Sequence, residues 1–105
     1  MTSTDILSRL NVSAETIASF CRRWKIVEFG VFGSAARDEM RADSDVDVMV
    51  QFAPDAKWSL FDIGGMQQHL VEIFGRDVDL VEKGPIANPF KRHTITRDLT
   101  VIYAA

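Results

Sequence analysis

Two aspartates near the middle of the chain have the type and spacing of a metal site. The run Asp45-Val-Asp-Val-Met-Val50 alternates polar and apolar residues at first and is typical of a β-strand with one buried face. Because side chains alternate along a strand, Asp45 and Asp47 are expected on one face, about 6.5–7 Å apart along the backbone. Carboxylates held this close repel each other, and Mg²⁺, which prefers oxygen ligands, relieves the repulsion. The pattern predicts a magnesium site.

A glycine–serine pair upstream has the character of a phosphate site. The apolar run Ile26–Phe32 predicts a strand that ends at Gly33 and Ser34, and a short helix-prone segment follows. Backbone N–H groups and a hydroxyl at the start of such a segment can bind an anion. Arg37 could also contact a phosphate, or it could form a local pair with Glu39. Both readings of Arg37 stay open from the sequence.

A third acid occurs in a later alternating run. In the run Arg76–Glu82, Val78 and Leu80 share one predicted face and Asp79 lies on the other. If this strand neighbours the first, Asp79 completes the site as a metal ligand or as the base for an incoming hydroxyl. Carboxylate-bound metals on one side of a polyphosphate, with backbone donors on the other, suit phosphoryl or nucleotidyl transfer.

The ordered set of these motifs resembles the signature of the DNA polymerase beta-like nucleotidyltransferase superfamily. Gly33-Ser34 is followed after ten residues by Asp45-x-Asp47, and then by the later strand acid Asp79. More narrowly, three stretches look like the minimal nucleotidyltransferase (MNT) family, over nearly the whole chain: Phe32-Gly-Ser-Ala-Ala-Arg-Asp-Glu39, Asp43-Ser-Asp-Val-Asp-Val48 and Val78-Asp-Leu-Val81. Asp38 departs from the family, which usually has glycine there, and this puts the local backbone conformation in question.

The resemblance implies a fold and a chemistry. The fold would be α+β, a small mixed β-sheet with helices packed on one face. Two Mg²⁺ ions would be held by the catalytic carboxylates of Asp45, Asp47 and Asp79. ATP would be the substrate, bound at Gly33, Ser34 and Arg37, and AMP would be the transferred group.

The resemblance also implies a partner. Similar proteins are antitoxins of HEPN-domain toxins, and some add AMP to a tyrosine of the toxin. Two other functions remain open: a catalytically idle antitoxin that neutralises its toxin by binding, and nucleotidyl transfer to a small molecule. The acceptor, the preferred base and the oligomeric state, whether homo-oligomer or hetero-oligomer, are not determined by the sequence.

Composition and length limit the remaining possibilities. The chain has 105 residues, which predicts one domain over 1–105 with one modest core. The formal net charge of −3 gives no broad basic surface, so direct binding of duplex nucleic acid is not expected. The single cysteine, Cys21, excludes an internal disulfide and is interpreted as a core residue. No membrane span or signal segment is recognisable, so a cytoplasmic location is expected.

Other predicted elements must position the acids. Helices are predicted after Thr4 as a possible N-cap, from Ser13 to Lys25, from Ser59 to a stop at Gly75, and over Phe90–Arg97. In the first strand, Val27, Phe29 and Val31 are expected to share one face. Gly64 and Gly65 indicate either a kink in the third helix or a close approach of this helix to the sheet or the nucleotide. The tail Leu99–Tyr103 is either a final edge strand or a partner surface. Lys91, Arg92 and Arg97 could steer a triphosphate or an acidic partner, or they could form a solvated face.

Overall fold

Three α-helices and four β-strands make up the described part of the chain. The structure is a computed structural model, and it describes residues 2–41, 43–83 and 97–105. The elements are α1 (Ser3–Leu10), α2 (Ala14–Arg23), β1 (Ile26–Phe32), β2 (Val46–Phe52), α3 (Leu60–Phe74), β3 (Val78–Glu82) and β4 (Thr100–Ala104). Among the helices that the structure describes, none has the length and apolarity that crossing a bilayer requires.

The strands form one mixed sheet in the order β3-β2-β1-β4. Strand β1 is antiparallel to both β2 and β4, whereas β2 and β3 are parallel. Parallel neighbours need a long crossover connection, and α3 provides it between β2 and β3. The mixed sheet confirms the predicted α+β fold. Of the two readings of the tail, β4 bears out the strand, which lies at one edge of the sheet that the described strands form. The predicted last helix, Phe90–Arg97, lies outside the described residues except for Arg97.

The described helices pack on one face of this sheet. Residues of all three helices join alternate residues of β1 and β2 in a single buried cluster. Its largest fully buried members include Ile6, Ile17, Phe20, Phe29, Val46, Val48, Val50, Met66 and Leu70. Cys21 is also fully buried, and burial raises the pKa of its thiol to about 12. A thiol with such a pKa is not a nucleophile at neutral pH, and the predicted core position of Cys21 is confirmed.

Helix boundaries follow their capping residues. The Ser59 hydroxyl accepts a hydrogen bond from the Asp62 N–H and the Asp62 carboxylate accepts one from the Ser59 N–H, which confirms the predicted capping box of α3. Gly75 ends this helix in the left-handed region, with φ +69°. The prediction that Thr4 caps α1 was wrong. Thr2 is the N-cap, because Asp5 lies at the position from which a carboxylate can return the hydrogen bond.

A β-bulge changes the predicted face of β1. The pairing of β1 with β2 shifts register between Ile26 and Glu28. One extra residue in a strand reverses the alternation of side chains beyond it. Consequently Ile26, and not Val27 as predicted, lies in the core with Phe29 and Val31.

The two glycines inside α3 are not explained by contacts within the described chain. The helix is continuous, a Cβ built on Gly64 would have no atom within 4 Å, and one on Gly65 would meet only Trp24, at 3.9 Å. We therefore expect Gly64→Ala to raise the free energy of unfolding by about 0.5–1 kcal/mol, since alanine is the better helix former. Urea denaturation of the two proteins measures this. A less stable Gly64→Ala protein would contradict it.

Candidate active site

Strand β2 presents Asp47 on the sheet face that the described helices leave open. Val46 and Val48 point into the main core, so Asp47 between them faces the opposite side. Met49, which shares that side, packs with Phe32 in a second, smaller cluster. Asp45 immediately precedes β2 and is exposed, whereas Asp47 is partly buried. The two acids therefore occupy the edge where β2 begins.

Strand β3 brings Asp79 directly beside Asp47. In the parallel pairing of β2 with β3, Asp47 lies opposite Asp79, and Val46 lies opposite Val78. Laterally paired residues of neighbouring strands project to the same face of the sheet. Val78 is in the main core and Val81 packs with Met49 on the other side, which independently puts Asp79 on the face of Asp47. Two carboxylates from different strands thus stand side by side.

Gly33 lies against the Asp47 carboxylate. Phe32 pairs with Asp47 across β1 and β2, and the next residue, Gly33, turns the chain away with φ +71°. A Cβ built on Gly33 would overlap Oδ2 of Asp47, far inside contact distance. Glycine is therefore required here twice, by the positive φ and by the absence of a side chain where the carboxylate lies.

The segment after Gly33 forms one helical turn rather than a helix. The N–H groups of Ala36 and Arg37 both donate to the Gly33 carbonyl, and the N–H of Glu39 donates to the Ser34 carbonyl at 2.9 Å. Asp38 adopts φ +62°, the left-handed conformation that glycine adopts most easily and aspartate only occasionally. An ion pair with Arg9 of α1 holds the Asp38 side chain. The far end of the turn that carries Ser34 thus contacts α1 through an exposed ion pair.

Arg37 is paired with carboxylates in this structure. Its Nε donates to Glu39 at 3.0 Å, as one of the two readings of the sequence had it, and its Nη1 donates to Asp98 at 2.5 Å. Arg97, and secondly Arg37, hold the pKa of the Asp98 carboxyl below its usual value through their hydrogen bonds to it. The Asp98 contact could not be anticipated, because 61 residues separate the partners.

Arg76 donates hydrogen bonds to the loop that precedes Asp45. Its Nη1 donates to the carbonyls of Arg41 and Ser44, at 3.1 and 3.3 Å, and the Ser44 hydroxyl accepts from the Arg41 N–H at 2.8 Å. At the start of the strand pair, the Val46 N–H donates to the carbonyl of Asp77 at 2.9 Å. The sequence showed Arg76 only as the first residue of the third strand run, and no periodic signal marks a side chain that binds backbone carbonyls.

Removal of the Arg76 side chain should loosen this loop. We expect Arg76→Ala to lower the activity of this site about tenfold, as loss of a residue that supports metal-binding carboxylates commonly does. The free energy of unfolding should fall by about 1 kcal/mol, since two hydrogen bonds to a charged donor are lost. Steady-state kinetics and thermal melting measure the two effects. Arg22→Ala, which breaks an exposed ion pair with Glu15 on α2, is the matched control. Equal activity of the two variants would contradict the role of Arg76.

The carboxylates fit a hard divalent cation that phosphate oxygens and water would help to bind. Within residues 2–41, 43–83 and 97–105, no three acidic, histidine or cysteine side chains stand close enough to form a complete metal site. Mg²⁺ is commonly held by one or two carboxylates together with substrate phosphates and water, rather than by a full set of protein ligands. Asp47 and Asp79, adjacent on one face, supply such a pair, and Asp45 lies two residues from Asp47. The donor chemistry fits Mg²⁺ bound with a polyphosphate.

Comparison with known sequences identifies a matching family and a relative. A family model described as a nucleotidyltransferase domain matches residues 14–102. The chain is 34% identical over 80 residues to the protein adenylyltransferase MntA of Thermococcus cleftensis, and the matched region covers 76% of this chain and 78% of that protein. Gly33, Ser34, Asp45, Asp47 and Asp79 all lie within the range that the family model matches.

Two solved structures have a similar fold. One, assigned as a minimal nucleotidyltransferase, is 32% identical with a TM-score of 0.66, and the likeness covers 94% of each chain. The other belongs to the complex of a tri-AMPylated Shewanella oneidensis HEPN toxin with its MNT antitoxin. It is 19% identical with a TM-score of 0.62, covering 88% of this chain and 70% of that chain. At that identity the second likeness establishes the fold alone.

Proposed function

Because this chain belongs to the nucleotidyltransferase domain family, we propose that it transfers AMP from ATP, with Mg²⁺, to a tyrosine hydroxyl of a HEPN-domain toxin and so acts as its antitoxin. The observation that carries the proposal is the pairing of Asp47 with Asp79 on one sheet face, beside Gly33. Carboxylates on adjacent strands next to a glycine turn suit a polyphosphate that must be held from two sides.

The three acids share one role in this proposal, and Asp79 has a second. Asp45 and Asp47, from the start of β2, and Asp79, from β3, hold the divalent cations. When bound, Mg²⁺ supplies neutralisation of the phosphate charge and makes the acceptor hydroxyl more acidic. Asp79 can itself accept the proton that leaves the hydroxyl. Gly33 and Ser34 cradle the pyrophosphate through backbone N–H groups and the serine hydroxyl, with Arg37 as a further nucleotide-binding residue.

The proposed reaction forms one bond to the α-phosphorus of ATP, breaks another, and moves one proton. The acceptor oxygen attacks the α-phosphorus of ATP, and the bond from that phosphorus to the bridging oxygen of the β-phosphate breaks. Pyrophosphate leaves with the bonding electrons, and the hydroxyl proton passes to a carboxylate or to water. The products are an AMP ester of the acceptor and pyrophosphate. Catalysis here consists of positioning and charge stabilisation, which is what a small site of carboxylates and backbone donors can provide.

The partner part of the proposal is supported by the comparisons. The relative from Thermococcus cleftensis is named a protein adenylyltransferase, and the Shewanella oneidensis complex contains an AMPylated HEPN toxin beside an MNT antitoxin.

The test is transfer to a candidate partner. The protein is incubated with labelled ATP, Mg²⁺ and the product of the adjacent reading frame, and that product is analysed by intact mass and peptide mapping. We expect added mass that matches AMP, located on tyrosine, and loss of toxicity. Loss of toxicity without added mass would instead support neutralisation by binding. Pyrophosphate release that requires a small-molecule hydroxyl, with the partner unmodified, would support nucleotidyl transfer to a small molecule.

A further inference from the structure

Asp98 is a nearly buried carboxylate beside the candidate site, and the proposed chemistry assigns it no role. Its side chain is only 6% exposed. Both of its oxygens are used: Oδ1 accepts from Arg97 Nε at 2.9 Å, and Oδ2 accepts from Arg97 Nη2 at 3.1 Å and from Arg37 Nη1 at 2.5 Å. Such charge-assisted hydrogen bonds are stronger than neutral ones, particularly when shielded from water. Asp98 therefore holds the Arg37 guanidinium firmly.

The backbone next to Asp98 is itself fixed to the sheet. Leu99 packs with Phe32 and Met49, and a Cβ built on Gly30 would lie only 2.5 Å from its Cδ1. Thr100, which opens β4, pairs with Val31 of β1. Because Leu99 fits into the space that Gly30 leaves open, Asp98 cannot shift without disturbing this second cluster.

At its other end the interaction reaches the Gly33 turn. The Arg37 N–H donates to the Gly33 carbonyl at 3.1 Å, so the two residues belong to one turn, and Gly33 abuts the Asp47 carboxylate. Glu39 binds the Nε of Arg37, and Asp98 binds Nη1, while the described residues offer Nη2 no hydrogen-bond acceptor. The guanidinium is thus oriented by two carboxylates and keeps one nitrogen for another anion.

We propose that Asp98 is a positioning residue that fixes Arg37 and the Gly33 turn for the nucleotide phosphates. The inference rests on the proposed function, because it concerns binding of the same nucleotide. An arginine already held in its binding orientation loses less side-chain entropy when a phosphate arrives. Asp98 should therefore affect nucleotide affinity more than the rate of the chemical step.

The test compares Asp98→Asn with the wild-type chain. Asparagine keeps the shape but loses the charge, and we expect the Kd for AMP-PNP with Mg²⁺, measured by calorimetry, to rise about tenfold. With ATP and the partner protein, KM should rise similarly while kcat stays within about threefold. Glu15→Gln, which removes the charge from the exposed pair with Arg22, is the control and should leave both constants unchanged. Circular dichroism at the assay temperature verifies that each variant is folded.

A double-mutant cycle separates positioning from a general loss of structure. If Asp98 acts through Arg37, the Arg37→Gln/Asp98→Asn protein should bind AMP-PNP no more weakly than Arg37→Gln alone. Effects that multiply, or an unchanged Kd in Asp98→Asn, would overturn the inference. Should Asp98→Asn fail to fold, Asp98→Glu, which keeps the charge on a longer stem, takes its place in the same cycle.

The two proposals fail in different ways. A wild-type chain that binds AMP-PNP but transfers nothing would contradict the proposed function, and the binding cycle would still decide the role of Asp98. A wild-type chain that binds no nucleotide would contradict both. Active wild-type protein with an equally tight Asp98→Asn variant would contradict the role of Asp98 alone.

Discussion

The Asp47→Asn protein is expected to lose AMP transfer by on the order of 10³-fold or more, about 4 kcal/mol in the barrier. Asp47 lies between the two other parts of the site: Asp79 is opposite it on β3, and Gly33 is in contact with its carboxylate. Asparagine keeps the size of the side chain but removes the charge that would hold a divalent cation. The substitution also removes the repulsion between Asp47 and the like-charged Asp79 beside it. The free energy of unfolding should therefore change by less than about 1 kcal/mol.

The matched control for this variant is Asp55→Asn. This substitution makes the same change of charge at an exposed position. Asp55 lies in the loop after β2 and forms an ion pair with Lys25. Transfer to the partner, toxin neutralisation and thermal stability are measured on both proteins. Transfer and neutralisation should fail together in Asp47→Asn and persist in Asp55→Asn. Full neutralisation by Asp47→Asn would show that binding, and not AMP transfer, silences the toxin.

Gly33→Ala should have the second largest effect on activity. Alanine at φ +71° costs about 1–2 kcal/mol of stability, because an L-residue in the left-handed region brings its Cβ close to the backbone. Its Cβ would also collide with Oδ2 of Asp47, which must rotate away. We expect transfer to fall by on the order of 10²-fold, since carboxylate positions must be accurate to a fraction of an ångström.

Gly75→Ala separates backbone strain from this collision. Gly75 has nearly the same φ, +69°, but a Cβ there would have no atom within 4 Å. Both alanine variants should lose similar stability in thermal melts, yet only Gly33→Ala should lose transfer. If Gly75→Ala lost as much activity as Gly33→Ala, strain rather than the contact with Asp47 would explain the effect.

Local signals in the sequence predicted much of this fold. The alternation of polar and apolar residues identified β2 and β3. It also identified the face that Asp47 and Asp79 occupy, because the valines next to each acid are buried on the opposite face. The serine–aspartate capping box and the terminal glycine correctly bounded α3. Such features depend on residues within one turn or one strand, and they can be read before any tertiary contact is known.

Features that depend on tertiary contacts or small shifts of pairing were not predicted. The bulge that moves Ile26 into the core depends on the pairing of β1 with β2. No residue type in β1 indicates this shift of register. The interaction of Arg37 with Asp98 joins distant segments, and Arg76 binds carbonyl groups that every residue possesses. Charged side chains with structural partners look the same in a sequence as charged side chains in solvent. The structure was needed to distinguish them.

The most direct measurement of the proposed site is the position of a bound metal. Crystals grown with Mn²⁺, as a substitute for Mg²⁺, and AMP-PNP would give an anomalous difference map that locates the cation independently of the protein density. We predict Mn²⁺ bound by the carboxylates of Asp47 and Asp79, with the nucleotide phosphates beside Gly33 and Ser34. Nucleotide bound elsewhere, with no metal at Asp47 and Asp79, would contradict the proposed active site.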